Sequence, residues 1–261
     1  VRRSTSPRAP RRTHRVSAAL LLSLALAVTG CGSPDAPPAQ LPDQKSSPSS
    51  SPSTPPSPSA APVTKEVTVE QWQRMVESGM WRKGCPATRA TLRRVEINYW
   101  DFEGAIKRGV LVVNEDITAS ISRIFTKLFD AKFPIDRMQG VEAYDGDNNA
   151  SLSANNTAAY NCRRPNQINA PVEESPHANG RAVDINPVQN PWQDLRCKCW
   201  SPAAGAKYAE RVPGKGVIVK GGVVWRAFID EGWVWQNIKV PDYMHFDTGY
   251  PSAPFTDPAS G

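Results

Sequence analysis

The sequence predicts an α+β fold, a single domain with a central antiparallel sheet flanked by helices. Three observations carry that prediction. Strand-like and helix-like patterns follow one another in mixed order without βαβ alternation, the longer helical patterns are apolar on one side only, and there is no internal repeat. Val67–Gly79 is the first helix, with Thr68 as its cap and Trp72, Met75 and Val76 on one face. Val95–Phe102 alternates as a strand does, and the short apolar run Val110–Asn114 is a second strand. Ile117–Phe129 sets Ile117, Ile121, Ile124, Phe125 and Leu128 at helical spacing, a core-facing helix. Val223–Glu231 is another helix, stopped by Gly232, and Trp233–Trp235 and Tyr243–Phe246 are closing strands. Trp192, Trp200, Trp225, Trp233 and Trp235 read as core or cleft lining, core by default.

The stretch ahead of this domain has another character. Arg11, Arg12 and Arg15 precede an apolar run, Val16–Val28. In helical form that run reaches roughly 20 Å, short of the ~30 Å hydrocarbon core of a bilayer, so it reads as a secretory signal rather than a span. Val28-Thr29-Gly30-Cys31 resembles the lipobox of bacterial lipoproteins, which makes residues 1–31 a lipoprotein signal peptide with Cys31 as the lipidation site. Residues 32–64 hold ten prolines and nine serines among 33 residues, a disordered linker. The folded domain is expected over 65–261. The expected location is exported, lipid-anchored to the outer face of the cytoplasmic membrane and within the cell wall.

The formal charge of +6 comes from the leader alone. Six of the 31 basic side chains lie in residues 1–31 with no acidic ones, and the remaining 25 balance 25 carboxylates. No charge excess is left to hold a nucleic acid. Five cysteines are an odd number for an exported chain; lipid on Cys31 leaves Cys85, Cys162, Cys197 and Cys199 for disulfides. A bridge from Cys197 to Cys199 across one residue would be strained, so each is expected to pair with Cys85 or Cys162, in either order. A four-thiolate zinc site is set aside because no C-x-x-C spacing is present. The stretch from Asp145 starts like a calcium loop, but Ala150 stands where that loop needs Gly and Asn156 where it needs Glu. It reads as a turn.

The chemistry gathers around two histidines. Apart from His14 in the leader, only His177 and His245 occur. His177 opens a run to Asp184 in which Asn179-Gly180 supplies a turn, and strand alternation would send Val183 and Ile185 to the core and Asp184 the other way. His245 closes Asp242-Tyr243-Met244-His245. Two imidazoles and a carboxylate suit a catalytic zinc with one open position in a cleft of the fold. A carboxylate nearby would take a proton from the attacking water, and Asp242 is nearest in sequence.

Ser175-Pro176-His177-Ala178-Asn179-Gly180-Arg181-Ala182-Val183-Asp184 resembles the S-x-H-x-x-G-x-A-x-D signature of the VanY-like zinc peptidases. These are D-alanyl-D-alanine carboxypeptidases and L-alanyl-D-glutamate endopeptidases. Asp242-Tyr243-Met244-His245-Phe246 is similar to their second signature, and the likeness spans about 93–248. It implies one Zn2+ per chain on His177, Asp184 and His245, Asp242 as the catalytic base, and peptidoglycan stem peptides as substrate. It also implies an oxyanion-stabilising arginine, carried to Arg163 with Arg164 adjacent. Ser175 is a ligand-orienting or substrate-contacting group, or a turn residue. A monomer is expected. Many relatives carry Glu where Asp242 stands and the endopeptidase branch carries Asp; W-G-G-x-W is replaced by Trp235-Gln236-Asn237-Ile238-Lys239. Two other readings differ in class: a zinc-containing wall-binding module without turnover, for which Asp242 would have no use, and a structural lipoprotein whose His and Asp groups are merely hydrogen-bonded.

Overall fold

In a computed structural model, which describes residues 57–163, 171–236 and 239–260, the first layer is a three-stranded antiparallel sheet. β1 (Val63–Glu66) pairs with β2 (Leu92–Trp100), and β2 with β3 (Ile106–Asn114). Between β1 and β2 lies α1 (Val69–Glu77), where the Thr68 side chain accepts the backbone N–H of Gln71 as the expected cap. After β3 comes α2 (Thr118–Asp130). Alternation along β2 and β3 decides which face meets which helix: Val95, Ile97, Tyr99, Leu111 and Val113 share a core with Ile121, Ile124, Phe125 and Leu128 of α2. Each such side chain, once buried, is worth roughly 1.5–3 kcal/mol. Leu92 and Val112 turn to the opposite face and pack with Met75 and Met80.

β4 (Arg137–Met138), α3 (Asn148–Ser153) and β5 (Asn156–Thr157) follow. Asp145 and Gly146 are left-handed, as a turn there requires, and Asp147 caps α3 by accepting the N–H groups of Asn149 and Ala150. A second antiparallel sheet is built from β6 (Ala182–Asp184), with a hairpin β7 (Trp192–Asp194) and β8 (Cys199–Ser201) and the helix α4 (Val223–Ile229) ahead of its other strands. Those strands are β9 (Val234–Trp235) and β10 (His245–Asp247), and the order is β6-β10-β9.

A single central sheet was expected, and the architecture is more divided. Two three-stranded sheets are joined by an irregular segment: Ala158 exchanges two backbone hydrogen bonds with Asp184, and Tyr160 donates to the Val112 carbonyl of β3. The folded unit also starts before residue 65. β1 begins at Val63, and Ala60 is buried in the α2 core. β1 is exposed along its whole length, so no alternation marks it in the sequence. On α1 the buried residues are Gln71 and Met75, while Val76 is 42% exposed. Gln71 is held inside by Glu142 at 2.8 Å and Arg94 at 3.1 Å.

The disulfide expectation is corrected. Cys85 pairs with Cys162 and Cys197 with Cys199. The second bridge closes because Lys198 lies at φ 54°, which folds the chain back and brings the flanking Cα atoms to 5.2 Å. The leader, Cys31, most of the linker and Arg164 lie outside the described residues. Among the described residues no helix is long and apolar enough to cross a membrane.

Candidate active site

His177 sits in a tight turn that leads into β6. Gly180 donates back to the His177 carbonyl at 3.0 Å with φ 72°, and a Cβ there would come within 2.7 Å of the Asn114 backbone nitrogen. Only glycine accommodates both the left-handed backbone and that approach of β3. Arg181 pins the same turn through a 2.6 Å ion pair with Asp116. Ser175 has its turn role: its Oγ accepts the Ala178 N–H at 3.3 Å, at the edge of the cavity described below.

β6 and β10 then bring the other groups in. Asp184 and His245 are directly opposed across this antiparallel pair, so their side chains share one face. Val183 and Ile185 go to the core, as alternation predicts. His177 Nε2 lies 3.3 Å from Asp184 Oδ2, His245 Nδ1 lies 3.2 Å from Asp184 Oδ1, and the two ring nitrogens are 3.1 Å apart. All three residues are buried, and one ligand atom from each falls within 4.8 Å of the others.

The outward ring nitrogens decide what this cluster can hold. His177 Nδ1 is 2.7 Å from the Ala159 carbonyl, and His245 Nε2 is 2.8 Å from Asp247 Oδ2. Both partners are acceptors, so each ring spends its N–H on the outside. With neutral rings, two lone pairs and a carboxylate then face one another, an arrangement that demands a cation. The donor set of two imidazoles and one carboxylate fits zinc. In the protein alone a proton serves instead: burial opposes charge on His245, but Asp184 and Asp247, with Asp242 nearby, push its pKa up to about 10. Burial would likewise raise Asp184, yet His177 and His245 hold its carboxyl well below the usual range.

Asp242 belongs to a turn closed by the His245 N–H donating to the Asp242 carbonyl at 3.3 Å. Around it, Gln193 donates to the Pro241 carbonyl at 2.8 Å and Tyr243 to that of Pro191 at 3.2 Å, which fixes the turn against β7. The carboxylate borders the cavity, and its Oδ1 is buried with no hydrogen-bond partner among the described residues. Burial pushes its pKa up to about 7, with Asp184 and Asp247 adding to the rise and His245 and Arg163 opposing it. Arg163, left-handed at φ 60°, follows Cys162 of the Cys85 bridge; Asn161 accepts its N–H and Arg82 donates to its carbonyl. Its Nε is also buried without a partner among the described residues. The three candidate ligands, Asp242, Arg163 and Ser175 thus border one cavity of about 220 Å³, with Trp192 and Tyr250 on its walls.

Asp247 and the Ala159 carbonyl were not anticipated. Asp247 was readable, because a strand at His245 places the residue two positions on upon the same face. The Ala159 carbonyl carries no side-chain signal at all.

The family model described as D-alanyl-D-alanine carboxypeptidase matches residues 169–248, a stretch that includes His177, Asp184, Asp242 and His245. Searches of curated proteins and of solved structures found no match. The matched stretch supports a peptidase, and it holds the three candidate ligands together with Asp242, Ser175 and Asp247, while Arg163 and the Ala159 carbonyl lie ahead of it.

Proposed function

We propose that this protein is a zinc peptidase of the VanY-like kind, cutting peptidoglycan stem peptides either as a D,D-carboxypeptidase or as an L-alanyl-D-glutamate endopeptidase. One observation carries the reading. Beside three buried ligand groups, two of them imidazoles whose outer hydrogen bonds are already made, Asp242 Oδ1 and Arg163 Nε are buried on the same cavity with no hydrogen-bond partner among the described residues. Enclosed polar atoms left without partners cost stability, and a substrate in its reacting form is what would satisfy them.

His177, Asp184 and His245 would hold the metal, which when bound supplies Lewis acidity and lowers the pKa of the attacking water. Asp242 takes the proton from that water on its unpaired oxygen and returns it to the departing amine nitrogen. Arg163 faces the oxygen of the scissile carbonyl as negative charge grows there. Asp247 and the Ala159 carbonyl keep the two imidazoles aimed inward through these events. Trp192 and Tyr250 give the peptide an aromatic wall and limit the water around the reacting bond.

The same proposal places the chain outside the cytoplasmic membrane as a monomer, tethered by lipid on Cys31 with residues 32–64 as the spacer. The test is mass spectrometry of wall fragments incubated with the purified protein, with and without chelator. Chelator-sensitive loss of a terminal alanine identifies a carboxypeptidase, and release of the stem after L-alanine identifies an endopeptidase. No product from a protein with stoichiometric zinc sinks the enzymatic reading in favour of a binding module.

A further inference from the structure

The two disulfides occupy opposite environments. Cys85 and Cys162 are 9% and 1% exposed, whereas Cys197, Lys198 and Cys199 are all exposed at the tip of the β7–β8 hairpin. Arg196 and Lys198 flank Cys197, against the single carboxylate of Asp194, which pairs with Arg196 at 2.6 Å. The balance beside the sulfurs is positive, which favours a thiolate there. Opening this bridge releases a loop of one intervening residue, while opening the other frees a separation of 77. It also lets Lys198 leave the left-handed φ of 54° that the closed ring requires.

The hairpin is tied to the cavity on both strands. β7 and Pro191 just before it hold the Asp242 turn through the Gln193–Pro241 and Tyr243–Pro191 backbone bonds, and Trp192 forms a bridge with Asp242. From β8, Trp200 stacks on Tyr243 with centroids 5.7 Å apart and planes at 18°. Each strand has only three residues, too few to persist as a hairpin without what closes it.

We propose that Cys197–Cys199 is a thiol–disulfide exchange site whose reductant is a dithiol protein, and that opening it loosens the hairpin holding the Asp242 turn. A thiolate of the reductant attacks one sulfur, the S–S bond breaks as a mixed disulfide forms, and the other cysteine departs as a thiolate. The second thiol of the reductant then gives up its proton and attacks the mixed disulfide. Two electrons and two protons pass to Cys197 and Cys199, which end as thiols, and the reductant ends as a disulfide. This chemistry is independent of the peptidase reading.

The experiment titrates the full chain with dithiothreitol, and in parallel with reduced thioredoxin as the dithiol protein. Open cysteines are trapped by alkylation and assigned by peptide, and amide hydrogen exchange is followed over 191–201 and 241–245. Half-opening of Cys197–Cys199 is expected at a reductant concentration at least tenfold below that for Cys85–Cys162, with several-fold faster exchange at Gln193 and Tyr243. The double variant Cys197→Ser/Cys199→Ser should show that faster exchange from the start and no response to low reductant. If both bridges open together, if the buried one opens first, or if thioredoxin leaves Cys197–Cys199 closed, the exchange site is overturned. If Cys197–Cys199 opens while Gln193 and Tyr243 exchange as before, the link to the cavity is overturned.

Discussion

Two sides of one cavity are built on opposite terms. On the ligand side, His177 and His245 each have their outer nitrogen matched to an acceptor, at 2.7 and 2.8 Å, and Asp184 lies between them. On the other, Asp242 Oδ1 and Arg163 Nε are enclosed with no hydrogen-bond partner among the described residues. The first side has its partners within the protein; the second offers two polar atoms to something that enters. A site of this kind divides holding from reacting, and substitutions on the two sides should separate metal content from turnover.

The largest effect is expected from His177→Ala. Loss of one of three ligands should empty the site, seen by metal analysis, and lower turnover by ~10³-fold or more. Asp242→Asn breaks the division from the other side. Zinc content should stay stoichiometric while kcat falls by about 10²–10⁴-fold, and near-normal turnover would remove Asp242 from its proposed role. Asp247→Asn sharpens the comparison, because it disturbs the ligand side without replacing a ligand. Zinc affinity should weaken by about 10–100-fold in a chelator competition, with a smaller change in turnover once zinc is saturating.

The smallest effect is one of pH. His245 carries a proton up to about 10 in the metal-free protein, and zinc must displace it. Zinc affinity should therefore rise about tenfold per pH unit as pH rises towards about 10. The same raised pKa stabilises the metal-free fold fully below the ordinary histidine range, and that contribution is lost as pH rises through about 10. An affinity flat with pH would place the proton elsewhere.

Much of the site was legible because its chemistry rests on rare side chains. Two histidines, an aspartate seven residues after the first and an aspartate three before the second are visible without a fold, and the structure assembles all four on one cavity. Gly180 was legible as a turn, but its clash with the Asn114 backbone was not, because β3 is more than sixty residues away. The longer elements, α2, β2 and β3, announce themselves through periodicity. β4, β5, β7 and β8 have two or three residues each, too few for any period. The Cys197–Cys199 pairing turns on the φ of Lys198, for which lysine itself gives no hint.

The Ala159 carbonyl has a consequence for how such a protein can drift. The acceptor that aims His177 is main chain, so any residue at 159 that keeps the backbone path preserves it. The acceptor that aims His245 is a side chain, which one codon change can shorten, lengthen or neutralise. If the site holds a metal, a library aimed at retuning how tightly it is held should begin at position 247.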